Sequence, residues 1–150
     1  MTLPDDVILV RKDASWTMWA LSWILGADFM TKWWTTYRWP FQKARIAFPT
    51  TLTAAQAIMK VDTLNHELVH VEQFRPWWGP PVIFALEVLF PLPVLFSGRW
   101  FVERPAFLLD IKTKRRTIDQ AVDKLWTGYF YPWPRSLMRR WFERELEVSP

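Results

Sequence analysis

Five consecutive residues, His66-Glu67-Leu68-Val69-His70, constrain this chain most, because they contain both of its histidines. On an α-helix, side chains at positions i and i+4 lie on the same face, with Cβ atoms about 5–6 Å apart. Two imidazoles at that spacing can reach one Zn²⁺ at about 2.0–2.1 Å. Glu67 follows the first histidine, so its carboxylate lies beside such a metal and can act as a general base. The motif therefore predicts a zinc site on a helix; two unrelated surface histidines are the alternative.

A catalytic zinc site needs a third protein ligand and one open position. The chain has no cysteine and no third histidine, so this ligand has to be Asp or Glu. A helical pattern over residues 100–111 places Glu103 in its first turn, with Ala106 one turn further along the same face. Because a small residue there allows close approach to the metal, Glu103 is the preferred ligand. The alternatives are Asp110, Glu72 and Glu87.

Asp110 lies seven residues after Glu103, close to two helical turns, and so returns to the same face. A carboxylate at this place suits a hydrogen bond from the free ring N–H of a ligating histidine. Gln73, three residues after His70, is expected either to face the metal cleft or to lie in solvent. Asp110 and Gln73 are therefore candidates to support the ligands rather than to replace them.

Composition bounds the fold and excludes several functions. A chain of 150 residues that is 51% hydrophobic is long and apolar enough for one domain with its own core. Without cysteine it can form neither disulfides nor thiolate metal sites. The net charge is +4, and the basic run at 112–116 is interpreted as a solvated helix end rather than a phosphate site, since no nucleic-acid motif accompanies it. Nucleic acid is therefore not a predicted partner.

Three short segments have strand-like composition, namely 6–12, 33–39 and 43–48. A turn over 40–42 would make the last two an antiparallel hairpin that directly precedes the histidine motif. If the second strand of that hairpin lies at a sheet edge, it can offer main-chain hydrogen bonds to an extended peptide. An ordinary hairpin without that role is the alternative.

Helical spacing of apolar residues predicts the remaining elements. The predicted helices cover 16–26, 54–74, 81–89, 100–111, 118–125 and 135–147. Thr53 and Gln56 fit a capping box at the start of the second helix. Asp62 can act as a further N-cap if that helix is interrupted near it.

The chain contains 12 Trp and 11 Phe, far above ordinary usage, which favours apolar surface as well as core. The apolar stretch 81–97 includes Glu87, Pro91 and Pro93, so we do not expect it to span a bilayer. It can lie in the core, at a membrane surface or against another protein, and the Trp-rich segments add to such a contact. The chain begins with acidic rather than basic residues, unlike a secretory signal. The expected location is therefore cytoplasmic or virion-associated.

The pairing of His66-Glu67-x-x-His70 with Glu103-x-x-Ala106 resembles the gluzincin metallopeptidases, the thermolysin-like group. The longer runs at 66–73 and 103–107 look closest to small bacterial and phage proteins that share the motif. The resemblance covers residues 33–111, about half of the chain. It implies an α+β zincin-like domain over 1–150, with a small antiparallel sheet beside the active-site helix and a second, ligand-bearing helix. Residues 112–150 would then be a C-terminal helical extension.

The resemblance further implies a zinc-dependent hydrolase that cleaves peptide or protein substrates. Zinc would be held by His66, His70 and Glu103, and Glu67 would be the general base. Compared with thermolysin, the separation between His70 and Glu103 is longer, and no further histidine is present to stabilise an oxyanion. Other donors would take that role; the candidates are Tyr129, Tyr131 and Arg104. The alternative function is a structural or interaction protein, a virion or membrane-associated component that keeps the zinc site for stability.

Overall fold

The computed structural model describes residues 3–39, 41–76, 98–128 and 134–147. In these ranges the chain is an α+β protein with seven α-helices and a three-stranded sheet. It divides into two compact units, Met1–Pro80 and Pro81–Pro150. The organisation as a single domain with a C-terminal extension stays a prediction.

The sheet of the first unit has the order β1-β3-β2, with strands β1 (Val7–Arg11), β2 (Thr35–Tyr37) and β3 (Ala44–Phe48). Strand β2 pairs antiparallel to β3, which confirms the predicted hairpin. Strand β1, however, pairs parallel to β3. The expectation of an antiparallel sheet is therefore wrong. Parallel pairing needs a long crossover connection, and the helices between β1 and β2 supply the length for it.

Strand β3 is the central strand, because β1 and β2 occupy its two sides. The prediction that β3 offers a free edge to substrate is therefore wrong, and the outer strands are β1 and β2. Four of the five β3 side chains are buried, as expected for a strand that is covered on both faces. Only Arg45 is partly exposed. This strand anchors the core of the first unit.

Helices α1 (Trp16–Leu25) and α2 (Ala27–Lys32) follow β1. The first confirms the predicted helix, whereas the second was not predicted. Gly26, with a φ of 83°, makes the turn between them, in a backbone region that favours glycine. One core cluster of this unit joins Met18 of α1 and Phe29 of α2 to the sheet.

Helices α3 (Ala54–Met59) and α4 (Val61–Phe74) replace the single helix expected over 54–74. The capping box is confirmed, since the side chains of Thr53 and Gln56 each accept a hydrogen bond from the other's backbone N–H. The interruption is also confirmed, but its N-cap is Lys60, and Asp62 lies inside the first turn of α4. The second core cluster packs α4 on the sheet. Its buried members are Val7, Ala44, Ile46, Leu64 and Val71.

The second unit contains α5 (Gly98–Lys112), α6 (Ile118–Gly128) and α7 (Arg135–Glu147), which confirm three predicted helices. Apolar residues from all three form one core. Its buried members are Trp100, Phe107, Ala121, Val122, Leu125, Met138 and Phe142. The helix predicted at 81–89 lies outside the described residues. Among the helices that the structure describes, none has the length and hydropathy needed to cross a membrane.

Candidate metal centre

Helix α4 places the two histidines as their spacing predicts. The ring centroids of His66 and His70 are 5.4 Å apart, and the ring planes are inclined by 73°. The helix adopts this orientation because Leu64 and Val71 are buried against the sheet. With the rotation of α4 fixed in this way, the two imidazoles lie one turn apart on one face. The two side chains could therefore bind the same ion.

A hydrogen bond within the same helix orients one histidine ring. Nδ1 of His70 lies 3.0 Å from Oε1 of Gln73. An amide oxygen can only accept, so Nδ1 is the donor in this pair, and Nε2 is the ring nitrogen that could bind a metal. From the sequence, Gln73 was expected either to face the metal cleft or to lie in solvent, and the structure places its side chain beside His70.

One ligand atom from each of His66, His70 and Glu103 lies within 4.8 Å of the other two. His70 and Glu103 are buried, at 8% and 6% exposure. These three residues could therefore hold a metal ion. Two imidazoles and a carboxylate suit zinc-like divalent cations better than the hard cations that prefer all-oxygen sites.

Glu67, which follows His66 in the sequence, is 7% exposed. Its carboxylate accepts a hydrogen bond that the sequence did not predict. The hydroxyl of Thr36, on β2, donates to Oε2 of Glu67 at 2.7 Å. Side chains alternate between the two faces of a sheet, so Thr36 points to the face opposite that of Thr35 and Tyr37. This alternation does not show which of the two faces packs against α4. The contact joins residues 31 positions apart, so no local pattern would have found it.

Lys12 was also missed, because it was interpreted only as the end of a strand. Its side chain is fully buried, and Nζ donates to the carbonyl oxygen of Phe29 at 2.6 Å. Burial lowers the pKa of Lys12 to about 7, while the negative charge of Glu67 raises it in part. A buried lysine that senses Glu67 thus forms part of the electrostatic environment of the site.

Asp110 and the basic run share a structural role in the second unit. Asp110 is 2% exposed, and its two carboxylate oxygens accept hydrogen bonds from Arg115 and Arg116 at 3.0 and 3.1 Å. Two arginines of the 112–116 run, which follow the end of α5, thus bind the buried carboxylate of Asp110 in the last turns of that helix. A hydrogen bond from a histidine to Asp110 stays a prediction. The group that could hold a metal ion includes Glu103 and neither Asp110 nor Glu72.

Arg104, one of the candidates to stabilise an oxyanion, contacts two aromatic rings of the second unit. The guanidinium of Arg104 lies 4.6 Å from the ring centroid of Phe101 and 4.9 Å from that of Trp141. Partial burial lowers the pKa of Arg104. These stacking contacts show how Arg104 is held within the second unit, and its role at an oxyanion stays a prediction. Tyr129, Tyr131 and the alternative ligand Glu87 lie outside the described residues.

The chain matches no family model, no curated protein and no solved structure. The function of the site therefore has to be argued from its own geometry and chemistry.

Proposed function

We propose that this protein is a zinc-dependent metallopeptidase with a gluzincin-like site on a zincin-like fold. Zinc is held by His66, His70 and Glu103, and Glu67 is the general base. The observation that supports this most is the 4.8 Å grouping of three ligand atoms, two of them from α4, which also carries a buried carboxylate next to the first histidine. A purely structural zinc site has no use for that additional carboxylate.

The donor set fits a catalytic rather than a structural site. Structural zinc is usually enclosed by four protein ligands, whereas catalytic zinc has three and keeps a position for water or substrate. The group within the described residues offers three ligands. Two neutral imidazoles and one carboxylate leave a bound Zn²⁺ with a net positive charge, which favours its action on a polar bond.

Zinc, when bound, polarises the scissile carbonyl and lowers the pKa of water in the site. Glu67 accepts the proton of the attacking water and delivers it to the leaving amine. The bond from the water oxygen to the carbonyl carbon forms first, and the carbon–nitrogen bond of the amide then breaks. Because Glu67 passes the proton that it accepted to the leaving amine, it returns to its starting charge after each turnover. A peptide or protein is the substrate class that this chemistry implies.

The decisive experiment compares wild type with Glu67→Gln. The amide is nearly isosteric and leaves the ligands intact, but it cannot take the proton. We expect an unchanged zinc content and a loss of about 10²–10⁴-fold in the hydrolysis of denatured casein, followed by mass spectrometry of the fragments. Glu72→Gln is the matched control on the same helix, because the Glu72 side chain is 60% exposed and pairs with Arg75. Equal cleavage by wild type and Glu67→Gln would refute the assigned base, and a zinc-loaded wild type that cleaves nothing would refute the enzyme.

One observation favours a second candidate function, an interaction protein docked on a membrane surface. Helix α1 contains no charged residue, and Trp16, Trp19 and Trp23 are 70%, 58% and 76% exposed. We call these three residues the α1 tryptophan face. Tryptophan is enriched where proteins meet the bilayer interface. A metallopeptidase could also dock on a membrane through this face. Alternatively, docking is the function of the protein and it has no catalytic activity, in which case the zinc site would serve stability alone.

A further inference from the structure

Strand β2 supplies a hydroxyl to the carboxylate that the proposed function uses for proton transfer. The Oγ1 of Thr36 lies 2.7 Å from Oε2 of Glu67 and 3.4 Å from the backbone carbonyl oxygen of the same residue. A carboxylate only accepts, so the hydroxyl is the donor, and its single proton goes to the shorter contact. Hydrogen bonds from a hydroxyl to a charged oxygen are roughly twice as strong as neutral ones.

The donor is held more rigidly than the acceptor. Threonine is β-branched and therefore restricted at χ1, and Thr36 lies in β2 opposite the fully buried Ile46 of β3. A glutamate side chain has three torsions, and the last of them is broad. Because Glu67 is only 7% exposed, water competes little with the threonine for its oxygen. The strand can therefore fix the carboxylate, and the reverse is not expected.

We infer that Thr36 is a positioning residue for Glu67. By engaging Oε2, it holds the carboxylate plane in one orientation and leaves Oε1 as the oxygen that exchanges the proton. Thr36 itself neither gives up nor takes up a proton during turnover. This inference rests on the proposed function, since it assigns a role to the same base.

Two substitutions separate the hydroxyl from the shape of the side chain. Thr36→Val removes the hydroxyl at nearly constant volume, and Thr36→Ser keeps it. Misplacement of a reacting group can cost about 10²-fold in rate. We expect Thr36→Val to lower kcat roughly 10- to 100-fold with KM and zinc content unchanged, and Thr36→Ser to stay close to wild type. Thr35→Val is the matched control, because adjacent strand residues point to opposite faces.

A second measurement tests the contact without any turnover. Thermal unfolding of the metal-free protein is compared for wild type, Thr36→Val, Glu67→Ala and the double variant. Loss of a hydrogen bond to a buried charge should lower Tm by about 3–8 °C when Glu67 is present. When Glu67 is already absent, Thr36→Val should cost much less. Additive losses in Tm would show that the two side chains do not interact and would overturn the inference.

The remaining outcomes also test whether Thr36 positions Glu67. If the Tm values are coupled but Thr36→Val keeps the kcat of wild type while Glu67→Gln is inactive, the contact is structural and the inference fails alone. Thr36→Ser as damaged in kcat as Thr36→Val overturns it too, because the hydroxyl is then not what matters. If zinc-loaded wild type cleaves nothing, the proposed function fails and takes the inference with it, while the coupling in Tm still reports whether the contact forms.

Discussion

The ammonium group of Lys12 donates a hydrogen bond of 2.6 Å to the carbonyl oxygen of Phe29, in the interior of the first unit. The same Nζ lies 3.3 Å from the centroid of the Phe29 ring, so one residue supplies both a carbonyl dipole and an aromatic face. Neither replaces the hydration of a free ammonium, and burial therefore lowers the pKa of Lys12 to about 7. Glu67 opposes this shift through its negative charge.

Lys12 should make stability depend on pH in the alkaline range. Its pKa is about 7 in the folded protein and about 10.4 in the unfolded chain. Between these values the unfolded chain binds more protons, so the free energy of unfolding rises with pH from about 7 to about 10. Below pH 7 both states are protonated, and the cost of the buried charge is present in full. We expect the urea midpoint of the metal-free protein to increase over this interval in wild type and to stay flatter in Lys12→Met.

Lys32→Met serves as the control for this experiment, because Lys32 is exposed and pairs with Asp28 on the surface of α2. It should retain the pH dependence of wild type. Glu67→Gln provides the opposite test. Because it removes the charge that raises the pKa of Lys12, the rise in stability should begin at a lower pH. An identical pH profile in wild type and Lys12→Met would show that Lys12 isn't the titrating group.

Metal analysis tests the ligand set directly. We expect about one zinc per chain in wild type, none in His66→Ala or His70→Ala, and weakened binding in Glu103→Ala, because each supplies one ligand atom. The measurement is zinc content by mass spectrometry after dialysis against a weak chelator. Glu72→Ala, on the same helix but exposed, should bind zinc like wild type. Full zinc content in Glu103→Ala would move the third ligand elsewhere, with Asp110 the next residue to test.

Gln73 should raise the affinity of the site without touching the metal. Its amide oxygen accepts from Nδ1 of His70, which orients the ring and keeps Nε2 available. Partners of this kind typically contribute about 10- to 100-fold in metal affinity. We expect Gln73→Met to raise the Kd for zinc by that factor in a competition titration with a chelating dye. A Kd equal to that of wild type, with His70→Ala inactive in binding, would show that the ring is oriented by other contacts.

Local patterns predicted those parts of the structure that depend on neighbouring residues. The four-residue spacing of His66 and His70 fixes their common face once α4 forms, and the capping box at Thr53 needs only the next three residues. The grouping with Glu103 spans a longer distance in sequence, but the choice was narrow because the chain has no other histidine and no cysteine. The composition of the chain restricted the third ligand to Asp or Glu, whereas helical periodicity alone would not have restricted its residue type.

The supporting contacts could not be predicted for a topological reason. Thr36 and Glu67 are 31 residues apart, and Lys12 and Phe29 are 17 apart, so each contact depends on how the strands and helices pack. Strand β1 ends at Arg11 in its parallel pairing with β3, and Lys12, the next residue, is buried in the core. Strand composition is similar for parallel and antiparallel neighbours in so short a sheet, which is why the antiparallel prediction was wrong.

The α1 tryptophan face makes a prediction about membranes that doesn't depend on catalysis. Trp39, itself 40% exposed, stacks on Trp16 at 5.8 Å, and Trp19 contacts Trp23 at 5.3 Å, so the exposed rings are held in pairs rather than dispersed. At 10 residues, α1 can lie in the interface but is too short to cross a bilayer, which takes about 20. Because α1 carries no charge, binding through it should depend on apolar area and not on anionic lipid.

We therefore expect the protein to float with phosphatidylcholine vesicles in a density gradient, to a similar extent at low and high salt. Trp19→Ala combined with Trp23→Ala should reduce the bound fraction about tenfold or more, since burying a large apolar side chain contributes about 1.5–3 kcal/mol. Trp126→Ala, which removes an exposed tryptophan from α6, is the matched control and should bind like wild type. Flotation that requires anionic lipid and disappears in salt would assign binding to basic residues instead. Absence of flotation, with self-association that the double variant abolishes, would make this face a contact between copies of the chain.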